Sequence, residues 1–252
     1  MRLLKKLQKW SGNHGYTCDV CGEEVYDYPH TRVCATCLSK IERNDKRICP
    51  KCGRKTVAEG ICLTCKSHLP VFDEGVSPLV YRAETASLVN RIKNGNQRLA
   101  FFFGEQMAAE FLTRFADSLS AWATPETPLL VVPVPLTKTK RKRRGYNQAE
   151  ILADVVTNCL QKAGVAVVQD NDVLQKTRDE EQQKHLDVAG RIENAQGAYH
   201  LHKRALCRGK TVLLIDDVLT TGATGSACAK HIQNAGATRV LLLTVAALQE
   251  QK

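Results

Sequence analysis

Residues 212–224 read VLLIDDVLTTGAT. Residues 212–215 are apolar and run straight into two adjacent acids, Asp216 and Asp217; two more apolar residues follow, then Thr220, Thr221, Gly222, Ala223 and Thr224. A short apolar run of this kind predicts a strand buried on both faces, as in a parallel sheet. The acids then emerge at its carboxyl end, where open α/β sheets bind ligands. The small residues and hydroxyls stand where a helix should begin, and the free N–H groups of a helix start cradle phosphate. Acceptors for sugar hydroxyls beside a donor nest suit a phosphorylated ribose.

The stretch resembles the phosphoribosyl pyrophosphate (PRPP) signature of the type I phosphoribosyltransferase family. The resemblance implies that Asp216 and Asp217 hold the ribose 2′- and 3′-hydroxyls with Mg²⁺, as the catalytic acid pair. It implies that residues 220–224 hold the 5′-phosphate.

Working outward, the pattern from residue 129 onward is α/β. Strands are expected at 129–134, 165–168, 211–215 and 239–245, and helices at 147–162 and 223–235, with Gly236 placed to end the last helix. Alternating strands and helices imply a parallel sheet flanked by helices. Before it, 87–115 reads as helix interrupted near 94–96, with apolar Phe102, Phe103, Met107 and Phe111 suited to pack on the core.

The amino-terminal part has different chemistry. Eleven cysteines are present, and eight of them form Cys-x-x-Cys pairs: Cys18/Cys21, Cys34/Cys37, Cys49/Cys52 and Cys62/Cys65. Two such knuckles complete a tetrahedral four-sulfur Zn²⁺ site. The segment repeats itself, CDVCG then CATC, CPKCG then CLTC, with Gly22 and Gly53 after the first knuckle of each repeat. A double zinc ribbon with two sequentially filled structural sites is the reading adopted; an interleaved pairing fits the same spacing. The expected domains are residues 1–68 as the ribbon, 69–78 as linker, and 79–252 as the phosphoribosyltransferase-like domain, with 79–128 its helical portion. Cys228 falls at helical spacing with Ile232 and Ala235, which suits a buried apolar role.

A net charge of +10 favours anionic partners, whether nucleic acid or phosphorylated metabolites. No apolar run approaches the roughly 20 residues that span a bilayer. Lysines interrupt the leucines of the opening MRLLKKLQKW, so no secretory segment is expected and the protein is read as cytoplasmic.

Residues 132–135, Val-Pro-Val-Pro, end the first strand of the α/β part; KTKRKRR follows at 138–144 and leads into Arg144-Gly145-Tyr146-Asn147-Gln148. The charge run reads as a loop on the same sheet edge as the acids, suited to pyrophosphate and equally to a DNA backbone. RGYNQ after Val-Pro-x-Pro, DDVLTTGAT near the carboxyl end and a cysteine ribbon in front together resemble the ComF family, to which proteins called ComFC and GntX belong. The resemblance implies a phosphoribosyltransferase-like fold, a role in natural competence and the handling of transforming DNA, and single-stranded DNA or competence proteins as partners beside PRPP. It implies pyrophosphate contacts at Arg144 and at Arg178, in the Lys176-Thr177-Arg178 segment. Glu180 departs from the family pattern, which has threonine there. Thr220 stands where 6-oxopurine salvage enzymes carry an acid, so a hypoxanthine or guanine acceptor is not expected. A non-catalytic PRPP sensor, or a DNA- or protein-binding module, is the competing reading.

Overall fold

The computed structural model describes residues 17–27, 30–178 and 197–250, in two compact units, Met1–Ile41 and Glu42–Lys252. In the first unit, Cys18 and Cys21 sit on a turn closed by Gly22, whose φ of 81° is left-handed. The Cys18 N–H donates to the Glu23 carbonyl at 2.7 Å, and Gly22 N–H donates to the Cys18 carbonyl at 2.9 Å. Cys34 then caps the short helix α1 (Ala35–Leu38), which brings Cys37 to the same place.

The second unit opens by repeating this construction. Gly53 has φ 75°, Cys49 N–H donates to the Arg54 carbonyl at 2.9 Å, and Cys62 caps α2 (Leu63–Ser67). The repeat visible in the letters is therefore a repeat of structure.

The rest of the second unit is one parallel sheet with strand order β1-β8-β7-β3-β4. The strands are β1 (Glu74–Val76), β3 (Leu129–Pro133), β4 (Val167–Gln169), β7 (Thr211–Leu219) and β8 (Arg239–Ala247); β2 (Leu79–Val80) also pairs with β8. Helices α3 (Ala83–Lys93), α4 (Arg98–Phe115) and α5 (Leu119–Trp122) precede β3. Helices α6 (Lys138–Arg144) and α7 (Gln148–Lys162) lie between β3 and β4, and α8 (Ala223–Gln233) lies between β7 and β8. Phe103, Met107 and Phe111 of α4 are wholly buried. α4 approaches α7 at Gly104, where a Cβ would come within 2.6 Å of Val155. Cys228 is fully buried on α8, as its spacing predicts.

The chain departs from expectation in four places. β7 does not stop at Ile215 but carries the acids within it, pairing with β8 as far as Leu219 opposite Ala247. The basic run 138–144 is a short helix, capped by the Thr137 side chain and ended by a left-handed Gly145, rather than a loop. Residues 69–78, expected as linker, contain β1 and so join the sheet. Leu174–Lys176 and Tyr199–Leu201 pair as an antiparallel hairpin base, β5 and β6, beyond the strands expected from the sequence. Glu180 and the rest of 179–196 lie outside the described residues, as does the amino-terminal 1–16.

β1 is clamped to the Cys49/Cys52 knuckle by two glycines. A Cβ on Gly75 would lie 2.5 Å from the Cys52 carbonyl oxygen, and one on Gly53 would lie 2.2 Å from the Gly75 oxygen. Gly75 N–H donates to the Lys51 carbonyl at 2.9 Å across this contact. Backbone on both sides leaves no flexible side chain to yield. Gly75→Ala should therefore cost about 1–3 kcal/mol of stability in urea unfolding, the usual penalty of overpacking. An unchanged midpoint would mean that knuckle and strand are not tightly apposed.

Candidate functional site

β3 pairs with β7 only as far as Pro133 opposite Ile215, with one further bond from Val134 N–H to the Ile215 carbonyl at 2.9 Å. Beyond that point β7 runs on without β3 beside it. A cleft of about 320 Å³ opens there, lined among others by Val134, Pro135, Asp216, Asp217, Thr220 and Thr224. β3 continues to β4 on one side and β7 to β8 on the other, so the cleft lies at the topological switch point, where α/β sheets bind ligands.

Asp217 is 7% exposed and pairs with Lys93 at 2.6 Å; Gln148 Nε2 donates to the same carboxylate oxygen at 3.4 Å. Asp216 Oδ1 accepts from the Asp217 N–H at 2.8 Å. Burial pushes the Asp216 carboxyl up to about 8, and the adjacent Asp217 carboxylate adds to the push. Burial works against the Lys93 ammonium, but the carboxylates of Asp217 and Asp216 outweigh it and hold its pKa above the usual lysine value. Two acids thus share the Lys93 ammonium, and the raised Asp216 carboxyl favours a proton, or a hard cation in its place, beside Asp217.

The phosphate-loop candidate turns at Gly222, whose φ of 82° is left-handed, directly before α8. Ala223 N–H takes the Thr221 hydroxyl at 3.3 Å, so one of the free donors of the helix start is already partnered by a loop hydroxyl. The fully buried Phe72 packs beneath the loop, 3.6 Å from where a Gly222 Cβ would stand.

The structure thus brings Asp216, Asp217, Thr220 and Thr224 into one cleft, with Thr221, Gly222 and Ala223 forming the turn between the two threonines. Arg144 does not line it. Its guanidinium donates to the Gln148 side chain, one bond removed from Asp217. Arg178 is exposed on the arm after β5, with its guanidinium against Gly197. Sequence reasoning passed over Lys93, Gln148, Lys176 and Tyr199, all of which line the cleft. Gln148 closes RGYNQ and was legible there; Lys93 looks like any basic residue in a last helical turn. Lys176 donates to the Tyr199 hydroxyl at 2.9 Å, and Thr137 bridges to Lys176, which ties the hairpin base to the segment after β3.

The cysteines form two sets, Cys18, Cys21, Cys34, Cys37 and Cys49, Cys52, Cys62, Cys65, each with its sulfurs within 4.8 Å of one another. The pairing is sequential, one set in each compact unit. Sulfurs on a tetrahedral zinc stand about 3.8 Å apart. Cys21 and Cys34 are at 3.7 Å, as are Cys52 and Cys62, so both sets fit that ion. Among the described residues no helix is long and apolar enough to cross a membrane.

The phosphoribosyl transferase domain family matches residues 97–252, and the chain belongs to it. It is 26% identical over 199 residues to the competence protein ComFC of Bacillus subtilis, covering 78% of this chain and 75% of that protein. It is 27% identical over 214 residues to the DNA utilization protein YhgH of Escherichia coli K12, covering 84% and 88%. Competence protein F of Haemophilus influenzae is 24% identical over 223 residues, covering 87% and 85%. The ComF resemblance read from the motifs is thus matched by relatives that carry those names.

Asp216 supplies a pH test. Its pKa is about 8 in the folded protein against the ordinary 3.8, so the folded state keeps a proton that the unfolded chain releases. The stability this group contributes is complete below 3.8 and is lost as pH rises through about 8. Asp216→Asn removes the loss. Its stability relative to wild type should improve by at least about 1 kcal/mol between about pH 5 and about pH 8. A pH-independent difference in urea unfolding would contradict the assignment. Metal analysis gives a second check: Cys49→Ser should lower the zinc bound per chain by about half relative to wild type, since one site of the two sets is broken.

Proposed function

We propose that the cleft at the carboxyl ends of β3 and β7 binds PRPP as its magnesium complex, and that the chain serves natural competence, in the handling of incoming transforming DNA. The observation that carries the first part is the convergence of the acid pair and the loop before α8 on one cleft. Asp216 and Asp217 would accept hydrogen bonds from the ribose hydroxyls. The N–H groups and hydroxyls of residues 220–224 would take the 5′-phosphate. The names of the relatives support the second part.

Magnesium fits this donor set, because it is usually held by one or two carboxylates together with substrate phosphates. When bound, it supplies positive charge shared between pyrophosphate and ribose. The chain's own residues do the rest. Lys93 holds Asp217 until a hydroxyl competes for it. Gln148, fixed by Arg144, keeps Asp217 oriented. Arg144 and Arg178 lie on segments joined through the Thr137–Lys176 bridge, and would meet the charge that develops on a leaving pyrophosphate.

A second reading rests on α6. Lys138, Lys142 and Arg143 are exposed and line a shallow concavity with Thr139, a surface suited to a nucleic-acid backbone. On that reading the cleft senses PRPP without turnover while the basic helix holds DNA. Release of pyrophosphate in the presence of candidate nucleobases separates an enzyme from a sensor.

Calorimetric titration of Mg²⁺-PRPP into zinc-loaded protein tests the shared premise. Saturable binding should appear in the wild type and fall by at least about 100-fold in Asp216→Asn/Asp217→Asn, the loss of two charge-assisted contacts. Absence of binding to the wild type would overturn the proposal.

A further inference from the structure

Arg54 is 4% exposed, and its guanidinium joins two parts of the second unit that lie far apart in sequence. Nε donates to the Cys52 sulfur at 3.3 Å. One terminal nitrogen donates to Thr64 Oγ1 at 3.3 Å, and the other to the Thr220 carbonyl oxygen at 2.5 Å. Cys52 belongs to the second four-cysteine set, and Thr220 is the first residue of the loop before α8. One buried side chain thus bonds the cysteine cluster directly to the loop.

We infer that Arg54 is a positioning residue that makes the geometry of residues 220–224 depend on the second four-cysteine cluster. The inference rests on the reading of that loop as the 5′-phosphate cradle.

A trans peptide points its C=O and its N–H in opposite directions. Holding the Thr220 carbonyl against Arg54 therefore aims the Thr221 N–H away from Arg54. Fixing one acceptor thus fixes the direction of one donor. Thr220 itself lines the cleft, so its peptide links the ribbon to the candidate phosphate loop.

Arginine suits this place better than lysine. Its planar fork donates in three fixed directions at once, and buried guanidinium charge is tolerated only where hydrogen bonds satisfy it. Its three acceptors are a sulfur, a hydroxyl and a carbonyl, and two of them belong to the ribbon. When the four sulfurs are drawn onto one ion, Cys52 is fixed, and Arg54 with it. When they are not held together, the anchor of the loop shifts. Groups that hydrogen-bond to metal-ligating side chains orient those ligands. Here the outer partner reaches a second site.

The test uses the full-length, zinc-loaded protein and two variants, Arg54→Gln and Thr64→Val. The second keeps Arg54 and the cysteines and removes only one of the guanidinium's anchors. Hydrogen exchange is read by mass spectrometry on the peptide covering 219–225, with zinc content measured on the same samples and PRPP affinity by calorimetry. Exchange in that peptide should quicken by about tenfold in Arg54→Gln and by a smaller factor in Thr64→Val, with zinc retained. PRPP affinity should fall in the same order. If Arg54→Gln sheds its zinc, Thr64→Val decides. Unchanged exchange in zinc-retaining variants that bind PRPP as tightly as wild type overturns the inference and leaves the PRPP reading standing. Quickened exchange in a protein that binds no PRPP even as wild type supports the link from Arg54 to the loop and sinks the reading of the loop as a phosphate cradle.

Discussion

The site depends on two parallel strands of unequal length. β3 ends in Val-Pro-Val-Pro, and a proline has no N–H to donate to a ladder. Pairing with β7 therefore ceases just past Ile215, while β7 continues beside β8 to Leu219. Adjacent residues on a strand point to opposite faces, so two neighbouring acids can serve one cleft only where the next strand has ended. The proline pair creates that edge, and the acids occupy it. The same mismatch leaves Thr220 to Gly222 to turn at the cleft before α8 begins at Ala223.

Placing two carboxylates there is costly, and the structure offsets only part of the cost. Lys93 reaches Asp217, and Gln148 adds a donor to it, but Asp216 is left with a raised pKa. A site that needed only stability would have resolved this with a second cation or an apolar side chain. A carboxyl kept protonated beside a carboxylate at a switch point is instead what a hydroxyl-rich ligand accompanied by a cation would ionise and complete.

Much of this was legible in the letters. The apolar run, the acid pair and TTGAT specify a strand, a site and a helix start, because each depends on local chemistry. The cysteine spacing specifies four metal-binding knuckles for the same reason, and the structure adds their sequential pairing. What was not legible depends on distant partners. Nothing in Ala-Glu-Thr-Ala-Ser-Leu-Val-Asn-Arg-Ile-Lys singles out Lys93, which matters because α3 ends beside Asp217. Gly75 looks like a linker glycine until the Cys52 carbonyl is found against it. The basic run looked like a loop because charge alone carries no period; Thr137 and Gly145, which cap it as a helix, stand just outside it.

The two ribbons share a motif but not a physical role. In the first, Cys21 is exposed and the cluster belongs to a compact unit of its own. In the second, all four cysteines are buried and belong to the same apolar cluster as Phe72, Leu214 and Leu242. Its knuckle lies on β1, its helix start is tied to Glu250 through the Leu63 N–H at 2.6 Å, and Arg54 reaches Thr220. Metal binding in such a place is coupled to folding of the whole unit, because the sulfurs it gathers are part of the shared core. The second repeat of the motif thus braces the loop that borders the cleft, through Arg54 and the Thr220 carbonyl.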